Sequence, residues 1–219
     1  MVSRCTAVDV LTMFITCAMF RPVCGRATRI PGKACSATID IASALGVRIA
    51  RMQGSRVQYE PVYPLGDRSS LSVEFKTRHS TGLLFLASSE NLEHRSAETP
   101  DSVALYLQQG HLRYYFNCGN TNGLLTMHEE FNDNSWHKVE FTRIPLKGMV
   151  KIDDEKPFRD YVHTCAPFNH IYLGGLPQRV RIPGFSGLNQ RLNGCLRNFR
   201  IDEVPVEGTP HYSAVFSCD

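Results

Sequence analysis

The chain has 219 residues, of which 42% are hydrophobic and 21% are charged, and its formal net charge is +3. This composition is typical of a globular chain and argues against a disordered one. The weak positive charge, without a Lys/Arg run or an aromatic-basic repeat, argues against a nucleic-acid partner.

The first 25 residues have the pattern of a secretory signal peptide. Arg4 precedes an apolar run from Ala7 to Phe20, and Arg21-Pro22 follows it. The run is shorter than the roughly 20 residues that a membrane-spanning helix needs. We therefore predict a signal peptide over residues 1–25, with a buried helix as the alternative, and no other stretch of the sequence could span a membrane.

The number of cysteines, eight, is high for a reducing compartment. Their spacing matches no CxxC metal or redox motif, so disulfides in a secreted or extracellular protein are the natural interpretation. If the signal peptide removes Cys5, Cys17 and Cys24, an odd number remains. We expect Cys35 to lack a partner among the rest, which are Cys118, Cys165, Cys195 and Cys218.

Residues 26–46 are basic, contain Pro31-Gly32 and are predicted to be a linker or a loosely packed extension. From Val47 onward, short β-type runs alternate with Gly, Pro, Asn and Asp. The predicted strands cover 49–59, 71–77, 83–87, 103–108, 112–116, 124–127, 136–142, 149–153, 170–173 and 195–201. This spacing predicts an all-β antiparallel sandwich over residues 47–219.

The runs 103–108 and 112–116 are predicted to form a β-hairpin, because apolar and aromatic residues alternate in each of them. Gln109-Gly110 lies between the two runs. Glycine adopts the positive φ that a tight turn requires, so the turn is expected here.

Several motifs surround this hairpin in a characteristic order. They are TGLLF at 81–85, FNDNSWHKV at 131–139, IYLGGLP at 171–177, GCLRN at 194–198 and VFSCD at 215–219. Together they resemble the laminin G-like (LNS) domains of laminins and neurexins, over about Val47–Cys218. The resemblance implies a two-sheet antiparallel jelly-roll sandwich of the laminin G or concanavalin A-like type.

Two disulfides are expected in this fold. Cys195 and Cys218 occupy the positions of the family's carboxy-terminal disulfide. Cys118 and Cys165 would meet at the rim of the implied sandwich, where their Cα atoms would come within bonding range. The alternative for this second pair is two buried free thiols.

The resemblance also implies a calcium site. In calcium-binding members, the aspartate that opens the first hairpin strand supplies a carboxylate, which here is Asp101. The residue between Phe-Asn and Gly supplies its backbone carbonyl, which here is Cys118, and the loop before Ile171 offers Asn169. A single carboxylate predicts weak affinity, on the order of 0.1 to 1 mM. The alternative is that Asp101 is a strand-opening turn residue.

The region 179–200 is the most basic part of the chain. Arg179, Arg181 and Arg191 are candidates for a groove that binds sulfated glycans, since related domains use basic surfaces in this way. Solvated positions on strands and loops are the alternative.

The pattern of titratable residues offers no candidate for catalysis. The histidines have no metal-ligand spacing, and Glu129-Glu130 with Asp133 lacks the strand-borne carboxylates of a glycosidase. We predict a non-enzymatic, secreted or extracellular recognition and adhesion module that binds a cell-surface or matrix protein or a glycan at a calcium-bearing rim. The alternatives are a carrier of a lipophilic ligand between the sheets and a glycan-active enzyme, and the chain is either a single module or a fragment of a cell-surface receptor.

Overall fold

The computed structural model describes residues 39–94, 99–145, 147–160, 164–182, 187–206 and 210–218, with the backbone alone for 158–160. The predicted signal peptide, residues 26–38 of the predicted linker, and Cys35 lie outside these ranges. Those predictions therefore stay predictions. The described residues all fall within one structural unit, Ala37–Asp219.

The described part of the chain contains fifteen strands and no helix, and therefore no helix that could cross a membrane. In chain order the strands are β1 Val47–Ile49, β2 Arg56–Tyr59, β3 Ser69–Lys76, β4 Gly82–Ser88, β5 Ser102–Gln108, β6 His111–Cys118, β7 Thr121–Glu130, β8 His137–Ile144, β9 Lys147–Ile152, β10 Phe158–Asp160, β11 His170–Leu173, β12 Gly194–Ile201, β13 Val204–Pro205, β14 His211–Ser213 and β15 Val215–Ser217.

These strands form two antiparallel sheets. The first has the order β10-β9-β8-β3-β12-β1-β15, with β13 paired to β12, and the second has the order β14-β2-β11-β4-β5-β6-β7. This arrangement confirms the predicted all-β, two-sheet antiparallel sandwich. The predicted hairpin is β5 and β6, and its turn places Gln109 and Gly110 at φ values of 56° and 86°.

The core lies between the two sheets, where alternate side chains of β3, β8 and β9 are buried. Phe141 of β8 lies 6.1 Å from Phe85 of β4 and 5.6 Å from Tyr114 of β6, measured between ring centroids. Aromatic side chains of both sheets thus occupy the interior. Each large apolar side chain buried in this way contributes about 1.5–3 kcal/mol to folding.

The single strand predicted at 49–59 is two strands, β1 and β2, which belong to different sheets. A turn separates them, in which the Ser55 amide donates to the Met52 carbonyl at 3.1 Å. Gly54 has a φ of 80°, which a continuing strand would not tolerate. The chain therefore crosses between the sheets at this point.

Residues 39–46 of the predicted linker pack against the sandwich. Ile41 is fully buried in the core, and its amide donates to the Tyr212 hydroxyl at 3.1 Å. The Ile41 carbonyl accepts from the Phe199 amide at 3.1 Å. This part of the segment is not a loose extension, because one apolar residue and two long-range hydrogen bonds attach it.

Strands β4 and β5 are buried on both faces. Their outer face is covered by residues 176–182 and 187–188, which form a second apolar cluster with the strands. Its members are Leu83, Leu86, Leu92, Ala104, Tyr106, Tyr115, Tyr172, Leu176, Val180, Ile182 and Leu188. The loop between β11 and β12 is thereby packed onto the second sheet.

Candidate functional site

One end of the sandwich brings together several of the predicted site residues. There β4 ends, β5 begins and β6 ends, and the loop before β11 crosses over them. We call this end the Asp101 rim and define it by Leu65–Asp67, Asp101, Cys118-Gly119 and Cys165-Ala166.

A disulfide joins Cys118 at the end of β6 to Cys165 in the loop before β11, with Cα atoms 4.6 Å apart. Both residues are buried. The second disulfide joins Cys195 to Cys218, with Cα atoms 6.0 Å apart, and connects β12 to the chain end after β15. The first bond ties two loops of the Asp101 rim together.

The carboxylate of Asp101 links the same two segments as the first disulfide. Its Oδ1 accepts from the Gly119 amide at 2.7 Å, and its Oδ2 accepts from the Ala166 amide at 2.6 Å. Hydrogen bonds to a charged acceptor are among the stronger ones in proteins. Asp101 therefore has a structural role at the rim, in addition to any role toward a ligand.

Arg143 of β8 lies buried beneath the rim. Its Nη1 donates to the carbonyls of Leu65 and Ala166 at 3.4 and 3.3 Å, and its Nη2 donates to the Cys165 carbonyl. Burial lowers the pKa of the guanidinium, whereas the nearby carboxylates of Asp67 and Asp101 act in the opposite direction. Arginine stays charged here, and its positive charge is fixed under the rim. No sequence motif marks Arg143, because it lies four residues beyond the end of the FNDNSWHKV motif at 131–139.

The rim offers calcium only a small set of oxygen ligands. Both carboxylate oxygens of Asp101 already accept backbone hydrogen bonds. The Asn169 amide nitrogen donates to the Ser89 carbonyl at 2.9 Å. No group of three His, Cys, Asp or Glu residues suited to a metal occurs in the described ranges. Asp101 lies beside the end of β6, which carries Cys118, but these residues supply few of the six to eight oxygens that calcium prefers, and calcium at this rim stays a prediction.

An exposed apolar loop adjoins the rim. Val62 and Tyr63 are 78% and 82% exposed, and Leu65 at the end of the loop pairs with Phe168 through two backbone hydrogen bonds of 2.9 and 3.0 Å. This loop borders a groove that continues to Val204, which is 55% exposed. The signal in the sequence is the run Pro61–Pro64, in which two prolines flank two large apolar residues.

The three arginines predicted to bind glycans have different environments. Arg179 is exposed and lines a cleft together with Arg56. The Nη1 of Arg181 donates to two carbonyls of its own loop, at 3.0 and 2.7 Å. Arg191 is half-buried and forms a backbone bridge with Leu83. Glycan binding by this set stays a prediction.

His137 lies between two carboxylates at the other end of the sandwich. Its Nδ1 is 2.8 Å from Asp153 Oδ2, and its Nε2 is 3.1 Å from Asp133 Oδ1. Burial disfavours the charged ring, but these hydrogen bonds outweigh it, and the pKa of His137 is raised. The neighbouring Trp136 faces the opposite side, where the Arg197 guanidinium lies 3.9 Å from its ring centroid.

The geometry defines a jelly-roll β-sandwich with a disulfide-linked rim, a class of scaffold that displays loops for recognition. The chain belongs to the laminin G domain family, whose model matches residues 75–204. The structure of mouse laminin alpha1 domains LG4-5 superposes with a TM-score of 0.68 at 20% identity, over 88% of this chain and 52% of that chain.

The chain is also similar in sequence to two curated relatives. Mouse laminin subunit alpha-4 is 26% identical over 163 residues, which cover 70% of this chain and 8% of the relative. Neurexin-3a of Danio rerio is 27% identical over 144 residues, which cover 63% of this chain and 8% of the relative. The chain thus spans a small part of the length of these proteins, which belong to the extracellular matrix and the cell surface.

Proposed function

We propose that this chain is a non-enzymatic extracellular recognition module that binds a cell-surface or matrix protein through the Asp101 rim and the loop at 61–65. Membership in the laminin G family supports the extracellular setting, because laminins and neurexins act outside the cell. In those proteins the domain serves binding rather than catalysis. The two disulfides of the described residues agree with such a setting.

The exposed loop beside a rigid rim carries this proposal. Tyr63 and Val62 are almost fully exposed, whereas Leu65 and Phe168, which anchor the loop, are buried. Exposed apolar residues grouped on one surface mark interaction sites, and tyrosine is enriched among residues that dominate binding energy. The disulfide, Asp101 and Arg143 hold the backbone around the loop, so little ordering entropy is lost on binding.

A carrier of a lipophilic ligand between the sheets is the weaker alternative. The rings of Phe85, Tyr114 and Phe141 occupy the space where such a ligand would lie. A ligand would have to displace well-packed side chains, at a cost comparable with overpacking a core.

Binding of the purified, fluorescently labelled chain to intact cells and to reconstituted basement-membrane matrix tests the proposal. The variant Val62→Ser/Tyr63→Ser should bind at least about tenfold more weakly, because each lost anchor removes on the order of 1–2 kcal/mol. Leu124→Ser, which changes a 41% exposed apolar residue on β7, is the matched control and should bind normally.

Heparinase treatment of cells and matrix separates a protein partner from a glycan partner. Binding at the 61–65 loop should survive the treatment. If the variant binds as well as the wild type, or if heparinase abolishes all binding, the rim does not dock a protein as proposed.

Calcium at the rim remains part of the proposal as a weak ligand of Asp101. One carboxylate, with carbonyl oxygens and waters completing the shell, supports an affinity on the order of 0.1 to 1 mM. The Arg143 charge beneath the rim works against tighter binding, because like charges repel across a poorly solvated site.

A further inference from the structure

The longest strand of the described residues, β7, lies at an edge of the second sheet and pairs there with β6 alone. It has ten residues, whereas the other strands that end a sheet, β10, β14 and β15, have three residues each. A long edge strand presents unpaired main-chain groups, which another strand can bind. In the described part of the chain, β7 is therefore the end strand that is long enough for extended pairing.

The turn between β6 and β7 determines which main-chain groups of β7 point away from the sheet. Gly119 and Asn120 form a two-residue turn, which the pair of Cys118 and Thr121 closes. In such a hairpin the closing pair exchanges hydrogen bonds, and from there hydrogen-bonded and non-hydrogen-bonded pairs alternate. The second, fourth and sixth residues of β7 thus direct their amides and carbonyls to the open edge. They are Asn122, Leu124 and Thr126.

The sequence of this edge lacks the features that keep edge strands apart in most proteins. Proteins commonly protect such edges with lysines, prolines or bulges. The chain from Gly119 to Met127 contains no charged residue and no proline. The register of the β6–β7 pair shifts only further along, between His111 and Arg113 of β6. The segment 121–126 is thus regularly paired on one side and uncharged along the other.

Leu124 provides an apolar contact at the centre of this segment. Its side chain is 41% exposed. It lies on the outer face of the second sheet, because its cross-strand partner Tyr115 belongs to the apolar cluster there. The neighbouring Leu125 points to the opposite face and packs against the core. A strand that paired with the edge would therefore bury more of Leu124 without disturbing the core.

We infer that β7 pairs with β7 of a second copy of this chain, in antiparallel direction and with the two-fold axis at Leu124. In this register Leu124 lies opposite its own copy, and Asn122 lies opposite Thr126. The three resulting pairs use the groups that point to the open edge, with two main-chain hydrogen bonds for each pair. Two identical antiparallel strands are self-complementary, as a two-fold symmetric dimer requires.

The distribution of charge along β7 favours antiparallel over parallel pairing. The carboxylates of the strand, Glu129 and Glu130, both lie at its C-terminal end. In the antiparallel pair they lie beyond the paired segment, at opposite ends of the dimer. In a parallel pair in register they would face their own copies, and like charges directly opposite each other destabilise a strand pair. A second copy therefore fits this edge in one direction.

The dimer would present two copies of the Asp101 rim at opposite ends of the joined sheet. Gly119, which belongs to the rim, is five residues from the axis at Leu124. With about 3.4 Å per residue, the two copies of Gly119 lie about 34 Å apart. Two linked binding sites raise the avidity for a surface that carries several copies of a partner. The pairing itself does not depend on the proposed function of the rim.

Sedimentation velocity of the full chain over a range of concentrations tests the inference. Six paired residues from each chain form a small interface, so we expect a dissociation constant on the order of 10 to 100 µM. Leu124→Lys and Leu124→Glu should each weaken the dimer at least about tenfold, because like charges then meet at the two-fold axis. Leu124 is partly exposed, so both variants should keep the thermal unfolding midpoint of the wild type. An equimolar mixture of the two variants should dimerise again, because opposite charges face each other in the mixed pair.

Phe216→Lys is the matched control. It makes the same change at an apolar residue that is 48% exposed, on the end strand β15 of the first sheet, and it should dimerise like the wild type. The inference is overturned if the wild type stays monomeric well above the expected dissociation constant. It is also overturned if Leu124→Lys dimerises like the wild type, or if the mixture stays monomeric. Cell binding at nanomolar concentrations involves the monomer, so Leu124→Ser remains a control there.

Amide hydrogen exchange followed by NMR locates the pairing on the strand. The amides of Asn122, Leu124 and Thr126 should exchange several-fold more slowly in concentrated than in dilute samples, because only the dimer provides their acceptors. The Gly123 amide, which points to β6, should exchange at the same rate in both. If the first three amides exchange slowly at every concentration, another segment of the chain already covers the edge and the inference is wrong.

Discussion

Arg143 and Asp67 form an ion pair of 2.7 Å in which the two partners have very different environments. The side chain of Arg143 is 7% exposed, whereas that of Asp67 is 51% exposed. The guanidinium also donates to the main-chain carbonyls of Leu65, Cys165 and Ala166. Its main contribution is therefore to donate to main-chain carbonyls of the rim, and the ion pair is secondary.

The two partners should differ in their effect on stability. Arg143→Met removes the donor to the carbonyl of the buried residue Cys165 and should lower the free energy of unfolding by about 2 kcal/mol. Asp67→Asn removes a carboxylate that is half in solvent and should cost less than about 1 kcal/mol. Urea unfolding measures both, and equal losses would show that the ion pair, rather than the carbonyl contacts, stabilises the rim.

The two disulfides should contribute by different amounts. Cys118 and Cys165 are 47 residues apart, and closing that loop should stabilise the fold by about 4 kcal/mol in the chain-entropy model. Cys195 and Cys218 are 23 residues apart, and the corresponding value is about 3 kcal/mol. Unfolding of the two double Cys→Ala variants measures the difference, and peptide mapping without reduction checks both bonds. Recovery of Cys118 and Cys165 as alkylated thiols would contradict the first.

Stability should depend on pH through His137. Its pKa is raised in the folded state, so the charged ring stabilises the fold fully below its unfolded pKa of about 6.5. This contribution should be lost as the pH rises through the higher folded pKa. The difference in unfolding free energy between wild type and His137→Gln should therefore shrink above neutral pH.

Asp133, the carboxylate partner of His137 Nε2, limits the stabilisation by the charged ring at low pH. The pKa of Asp133 is lowered, first by the hydrogen bond from the Ser135 amide and then by the hydrogen bond from His137. The ionised Asp133 therefore stabilises the fold above its unfolded pKa near 3.8, and this stabilisation is lost as the pH falls through the lower folded pKa. The exposed His128 on β7 provides the matched control, since His128→Gln makes the same substitution away from Asp133 and Asp153. A flat difference profile for His137→Gln would contradict the bridging role.

Calcium binding should be weak and should depend on Asp101. Isothermal titration of the wild type should give a dissociation constant on the order of 0.1 to 1 mM, and Asp101→Asn should abolish the heat. Asp202→Asn, which changes an exposed carboxylate elsewhere, is the control. Absence of heat from the wild type would leave Asp101 with its structural role alone.

The sequence by itself determined the fold class and the family. Alternation of apolar residues in β3 and β6 reflects a periodicity of two, which the pleated backbone imposes on any half-buried strand. The turn at Gln109-Gly110 is equally local, because Gly110 adopts its positive φ without steric cost. The motifs at 81–85 and 131–139 resemble those of laminin G-like domains, and this resemblance implied the two-sheet topology.

Only the tertiary structure decided which distant residues meet. Arg143 shares the inward face of β8 with Val139 and Phe141, but only the loops at 65–67 and 165–166 provide the partners of its guanidinium. The position of β7 at an open edge follows from the strand order of the second sheet. The register between strands is set by packing over the whole sandwich, so it cannot be predicted from any short stretch of the sequence. Residues 176–182 and 187–188, which cover the outer face of β4 and β5, cannot be predicted to do so from the local sequence for the same reason.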